Sequence, residues 1–154
     1  MTVTAIGILG YVFMQQDTGS FLKGAFSPKT QHITVNGVPV SVEIAATPQE
    51  RAQGLSGRTT LGPGQGMLFI FQEDGAWRFW MKDMHFPIDI IWIDNNGFVV
   101  AAHTNVSPST YPQTFEPSRV ARYVLEVPAG FMAQHHISIG DAVVTADFIT
   151  KLSK

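Results

Sequence analysis

The stretch WRFWMKDMHFPIDIIWID, Trp77–Asp94, decides how the rest of the chain is read. It holds all three tryptophans, and its side chains alternate with the two-residue period of a strand. Arg78, Trp80 and Lys82 share one face of the first run, and Trp77, Phe79 and Met81 share the other. Residues 83–87 connect to a second run, Ile88–Ile93, in which Ile88, Ile90 and Trp92 alternate with Asp89, Ile91 and Ile93. Asp94-Asn95-Asn96-Gly97 is a turn and Phe98–Ala102 a third strand, so an antiparallel meander is expected. Pairing across 83–87 would bring Lys82 to Asp89 beside Trp80, with at least one of the three open to solvent. A slip of one residue would reverse both faces.

Upstream, GMLFIF (66–71) is a continuously apolar run that fits a strand buried on both faces, followed by a turn at QEDGA. LGPGQG (61–66) before it is a loop rich in glycine. Ahead of that loop, Thr47 as N-cap, Pro48 at the first helical position and Glu50 three residues past the cap form a capping box. The helix is expected to run to Ser56-Gly57, placing Arg51, Leu55 and Arg58 on one stripe, with Gly54 inside it marking a close approach. Asn36-Gly37 between two β-branched runs is a hairpin turn, because both turn positions need positive φ. Val38, Val40, Val42 and Ile44 then form the buried face of the second strand, and Pro39 favours an edge position.

Downstream, His103–Ser118 carries three prolines and reads as a long loop. Residues 122–128 form a strand with Tyr123, Leu125 and Val127 on one side and Arg122, Val124 and Glu126 on the other. AGFMAQHH is a short helix, and SIGDAVVTADF ends in a last strand. About seven short strands with two short helices give a mainly β chain of the α+β type. Its apolar load exceeds what one open sheet covers, so an antiparallel β sandwich or partly closed barrel is expected.

At 154 residues, 45% hydrophobic and 14% charged, the chain fits one domain with a sizeable core. A formal net charge of -2 and the lack of a basic cluster argue against a nucleic-acid partner. With no cysteine there is no disulfide, thiol nucleophile or thiolate metal site. Val3–Met14 is apolar and, as a helix, spans roughly 18 Å, short of the ~30 Å hydrocarbon core. Residues 1–16 therefore read as a signal peptide or signal anchor, with a first strand or buried helix as the alternative. Residues 17–31 read as a linker and 32–150 as the β domain. This organisation implies a protein exported or membrane-anchored, facing the periplasm or cell exterior.

TPQERAQGLSGR, GMLFIF, FWMK followed by PIDIIWID, ARYVLEVPAG and IGD occur in that order over roughly residues 33–148. Together they resemble the DUF192 family, also called UPF0127, of small bacterial and archaeal proteins. The resemblance implies a compact, mainly β domain with short helices and, in bacterial members, an N-terminal signal or anchor. Many members carry Asn-Thr where this chain has Asp83-Met84. The family has no established activity, so no catalytic residue carries over.

The residues themselves offer little chemistry. The five histidines (His32, His85, His103, His135, His136) show no HxH or HExxH spacing, and a zinc site would need the fold to gather groups such as His85, His103 and Asp89. No metal or other cofactor is expected. There is no G-x-S-x-G elbow, and no Lys-Ser/Thr follows LGPGQG. Arg51 and Arg58 could clamp an anion or lay their stems along a sheet edge. Trp80 with Lys82 and Asp89 could form a stacking platform for a sugar or small polar molecule, or Trp80 and Trp92 could be core. The candidate binding residues are therefore Arg51, Arg58, Trp80, Lys82, Asp89 and Glu126. The leading expectation is a non-enzymatic binding or accessory domain at the cell envelope. The alternatives are a hydrolase using the paired carboxylates Asp89 and Glu126, and a structural protein-interaction domain with an exposed apolar patch.

Overall fold

A computed structural model of the chain describes residues 30–145. The expected signal or anchor (1–16), most of the linker (17–31) and the end of the 32–150 domain lie outside them. Strand β1 (Thr30–Val35) begins two residues ahead of the expected domain start and turns at Asn36-Gly37, both at positive φ, into β2 (Val38–Ala45). Helix α1 (Pro48–Gln53) follows with the full capping box: Thr47 Oγ1 accepts from the Glu50 N–H, and the Glu50 carboxylate accepts from the Thr47 N–H. Such a cap contributes about 1 kcal/mol.

The helix stops at Gln53, not at Ser56-Gly57, because Gly54 is its C-cap at φ 49°. The close approach expected at Gly54 is present: a Cβ there would lie 3.2 Å from the Phe69 ring. With the helix cut short, Arg51, Leu55 and Arg58 no longer share a stripe.

The chain continues through β3 (Gln65–Gly75), β4 (Phe79–Trp80), β5 (Ile88–Ile93) and β6 (Val99–Val106). A short 3-10 turn (Pro108–Thr110), β7 (Thr114–Phe115), β8 (Ala121–Pro128), α2 (Phe131–Gln134) and β9 (Val143–Thr145) complete the described residues. Seven strands make one sheet in the order β6-β5-β8-β3-β2-β1-β9, curled into a half-barrel, and β4 pairs with β7 in a small second sheet. The chain is thus mainly β and partly closed, as its apolar load requires.

Four details depart from the expected layout. First, β2 and β3 run parallel; the crossover that a parallel pair needs is supplied by α1 and the loop after it. Second, β2 is an interior strand. Pro39 sits opposite Thr34 but ahead of the first β2–β3 pair, Ser41 with Gln65, so its missing N–H falls where there is no neighbour on that side. Third, β3 runs on through QEDG, where a turn was expected, and irregularly meets Ala121 at Gly75. Fourth, β6 absorbs His103–Val106, so the long loop is shorter and carries its own 3-10 turn and strand.

The expected meander survives only as β5 with β6. The other side of β5 is taken by β8, whereas Phe79-Trp80 pairs with Thr114-Phe115. The reason lies in burial. All six residues of β5 are buried, so its neighbour must be apolar on both faces. β8, buried throughout 123–127 and apolar there except for Glu126, comes close to that need; WRFWMK, with Arg78 and Lys82 on one face, would have to bury two cations. Placed in an outer layer instead, it keeps the expected alternation: Arg78, Trp80 and Lys82 are exposed, while Met81 is buried and Trp77 and Phe79 are partly so.

Apolar residues cover both faces of the large sheet. On one face Ile33, Val40, Val42, Leu68, Ile91, Ile93, Leu125 and Val127 pack beneath Phe131 and Met132 of α2. On the other, Met67, Phe69, Ile88, Ile90, Trp92 and Val124 pack beneath Leu55, Met81 and the aromatic residues around β4 and β7. The candidate site lies in this second layer.

Candidate functional site

Between the C-terminal end of α1, the middle of β3 and the β4 segment lies a cleft of ≈ 220 Å³. Its walls are aromatic: Phe69 and Phe71 come from one face of β3, and Trp77, Phe79 and Trp80 from the segment laid over it. Phe71 and Trp77 stack with ring centroids 4.0 Å apart, and Phe69 meets Phe79 edge-on at 4.8 Å. Two indole hydrogen bonds hold this wall: Trp77 Nε1 donates to the Ala121 carbonyl at 3.0 Å, and Trp92 Nε1 donates to the Trp77 carbonyl at 2.8 Å. On the helix side, Gly54 lets the Phe69 ring approach to a distance at which an added Cβ would force the ring to shift slightly.

Glu126 of β8 also lines the cleft. It is 5% exposed, and no hydrogen bond or ion pair reaches its carboxyl from the described residues. Its neighbours across the ladder are Met67 of β3 and Ile90 of β5, both apolar. Burial pushes the carboxyl up to about 8, since the charged form loses its water and gains nothing in exchange. At neutral pH Glu126 therefore carries a proton.

Two cations stand at the same cleft. Arg51 is tied down: its Nη1 donates to the carbonyls of Ala46 and Ile70, and its guanidinium lies 5.0 Å from the Phe71 ring centre. Arg78 is exposed and pairs with Glu116 at 2.7 Å. Of the six candidate residues, Arg51, Trp80 and Glu126 thus converge on one concavity. Lys82 stands at its margin, 5.9 Å above the Trp80 ring.

Arg58 and Asp89 lie elsewhere. Arg58 makes a two-pronged pair with Glu43 of β2, and that guanidinium holds the Glu43 carboxyl below its ordinary value. Asp89 is fully buried and accepts three backbone N–H bonds, from Asn105 (2.8 Å), Gly130 (3.1 Å) and Met132 (2.9 Å). It fastens the end of β6 and the start of α2 onto β5. The expected Lys82–Asp89 contact is therefore not formed. Nor is the grouping of Asp89 with His85 and His103: the Asp89 oxygens serve backbone N–H groups, and His103 packs on Trp92 and Phe115.

The two carboxyls of the hydrolase alternative do not share a cleft. Asp89 is opposite Val127 and Ile90 is opposite Glu126, so the alternation of side chains sends Asp89 and Glu126 to opposite faces of the sheet. Trp80 is half exposed and Trp92 is core, which separates two residues that read alike in the sequence. Phe71, Trp77 and Phe79 complete the site beyond the six candidates. Their alternation marks them as inward-facing, but placing β4 over β3 requires the β4–β7 pairing, which no local signal specifies.

A crystal structure from Sinorhizobium meliloti, of a protein described as a candidate transcription regulator, shares 30% identity and a TM-score of 0.74; the match covers 79% of this chain and 97% of that one. A protein of unknown function from Novosphingobium aromaticivorans shares 29% identity and a TM-score of 0.71, over 78% of this chain and 94% of its own. No curated protein matches the chain. The family model DUF192, described as Uncharacterized ACR, matches residues 31–145. That span takes in all but one of the described residues, every strand of the half-barrel and the whole cleft, and the chain belongs to the DUF192 family.

Proposed function

We propose that the protein is a small-ligand-binding domain whose site is the aromatic cleft closed by Glu126. One observation supports the reading above the others: a buried carboxyl without a partner opens onto a concavity. Burying an unsatisfied polar group costs about 1–3 kcal/mol, and a site that uses the group explains why it is kept. The volume is below the ~300–1,000 Å³ usual for drug-sized ligands, so the ligand is small. A regulator role, by analogy with the Sinorhizobium protein, draws no support from a net charge of -2.

Two tryptophans in the cleft provide the test. A fragment screen followed by tryptophan emission and melting temperature is expected to give hits that raise the melting temperature and change the emission. Trp80→Phe should lose a substantial part of that change, because the remaining cleft indole, Trp77, is already stacked on Phe71. Hits that stabilise the protein yet leave emission untouched would place the site elsewhere.

The apolar segment Val3–Met14 motivates a second proposal, that the domain acts outside the cytoplasm as an exported or anchored protein. Among the described residues no helix is long and apolar enough to cross a membrane. A C-terminally tagged full-length chain is expected in the membrane or periplasmic fraction, and in the cytosol once residues 1–16 are deleted. Equal fractionation of the two chains would rule the proposal out.

A further inference from the structure

We infer that the ligand of this cleft is a protonated amine, an organic ammonium that donates to Glu126 while its carbon skeleton lies among Phe69, Phe71 and Phe79. The inference rests on the cleft being the ligand site. It adds the chemical class, and with it a direction for the pH dependence.

Charge complementarity selects the class. Of the two cleft cations, Arg78 is paired with the Glu116 carboxylate, and the Arg51 Nη1 is held away from the ligand space by two carbonyl oxygens. Glu126 is answered by nothing among the described residues. An anionic ligand would keep Glu126 in its protonated form; a cationic one supplies the partner that its carboxylate lacks. The aromatic walls favour the same choice, because ring faces attract cations electrostatically. The protein already uses these rings so, with Arg51 over Phe71 and Lys82 over Trp80.

The groups that could compete for Glu126 are few. β3 and β5 present Met67 and Ile90 to it, and β8 carries Val124 two residues before it on the same face. α1 contributes Arg51 and the β4 segment Arg78. His103 of β6 belongs to the same layer but is turned to Trp92, Phe115 and the Glu116 carbonyl. Charge at Glu126 is therefore set mainly by its own burial and by whatever enters the cleft.

Binding is then coupled to proton release. In the empty cleft Glu126 holds its proton; when an ammonium enters, the Glu126 O–H bond breaks, the proton leaves to solvent, and carboxylate and ammonium remain as a pair. An aliphatic amine stays protonated to about pH 10, like lysine. Affinity should thus rise by close to tenfold per pH unit from about pH 6 to 7.5, and level off above about 8 as Glu126 in the free protein ionises. A neutral ligand accepting a hydrogen bond from protonated Glu126 would show the opposite trend, losing affinity above pH 8.

The experiment compares phenethylamine with phenethyl alcohol, equal in shape and different in charge. Titration calorimetry at pH 6, 7 and 8, in two buffers of unlike ionisation enthalpy, measures both affinity and protons released. The expected result is amine binding that tightens with pH and releases close to one proton at pH 6. Glu126→Gln should weaken the amine at least thirtyfold at pH 8 and the alcohol far less. An amine affinity flat in pH, or equal in Glu126→Gln, overturns the inference. Tighter binding of the alcohol, with quenching of cleft tryptophan emission, overturns the amine class and leaves the cleft as a ligand site. If neither probe alters emission or melting temperature, the inference and the cleft reading both fail. The pH series on the unmodified protein needs no variant, so the result does not hinge on how Glu126→Gln folds.

Discussion

Asp89→Ala is expected to destabilise the domain by roughly 3–6 kcal/mol, since one buried and two part-buried N–H donors would lose their acceptor, at about 1–3 kcal/mol each and less for those that water can reach. Small domains are held by only ~5–15 kcal/mol, so the variant should unfold at much lower urea or fail to accumulate. The size of the effect comes from position. Asp89 is fully buried and joins three separate pieces of backbone, Asn105, Gly130 and Met132, to one strand. Asp89→Asn sharpens the argument. Its remaining oxygen can still serve Asn105 and Gly130, which share Oδ1, while an amide N–H would face the Met132 N–H in place of Oδ2. The asparagine variant should therefore fall between the wild type and alanine. Urea unfolding measures both, and an alanine variant within about 1 kcal/mol of wild type would show that Asp89 is not a fastening point.

Glu126 should make stability fall as pH rises, the reverse of the usual acid-denaturation trend. The folded carboxyl titrates at about 8 against an ordinary 4.5. Between those values the unfolded chain gives up this proton while the folded chain keeps it, so each step up in pH favours unfolding. The contribution is fully present below about pH 4.5, is lost progressively up to about pH 8, and amounts to roughly 3–5 kcal/mol over that window. Glu43 acts in the opposite sense. Held below its ordinary value by Arg58, it stabilises the fold above about pH 4.5 and loses that contribution as pH drops further. Together they place the stability maximum at or just below pH 4.5 for these two groups. Glu126→Gln should match the wild type near pH 4.5, exceed it by a few kcal/mol at pH 8, and flatten the profile between. Equal slopes in both proteins, by urea melts at three pH values, would mean that Glu126 is not desolvated in the folded state.

Local signals were legible residue by residue. Thr47, Pro48 and Glu50 specify a helix start by themselves, and Asn36-Gly37 specifies a hairpin, because each depends on neighbours in the chain. Alternation also assigned faces correctly, separating exposed Arg78, Trp80 and Lys82 from the inward side of the same run. What alternation cannot supply is which strand lies alongside. Asp89 sits in register with Val127 and not with Glu126, and this single offset turns two plausible catalytic partners into a backbone fastener and a cleft acid. The site's aromatic wall was hidden for the same reason: it forms when β4 is drawn out of the main sheet to pair with β7, a contact between residues 79–80 and 114–115.

The sheet order has a consequence for when this protein can fold. β9, the last described strand, pairs with β1, the first, and β8 is inserted between β5 and β3. A chain made from its N-terminus can close the β1–β2 hairpin early, yet the middle of the sheet stays open until β8 has been synthesised, and one edge until β9 has. Pairings between residues so far apart make folding slow and postpone it. During synthesis the β1–β2 and β5–β6 pairs can form ahead of the rest, but the sheet that joins them is not continuous until β8 is made.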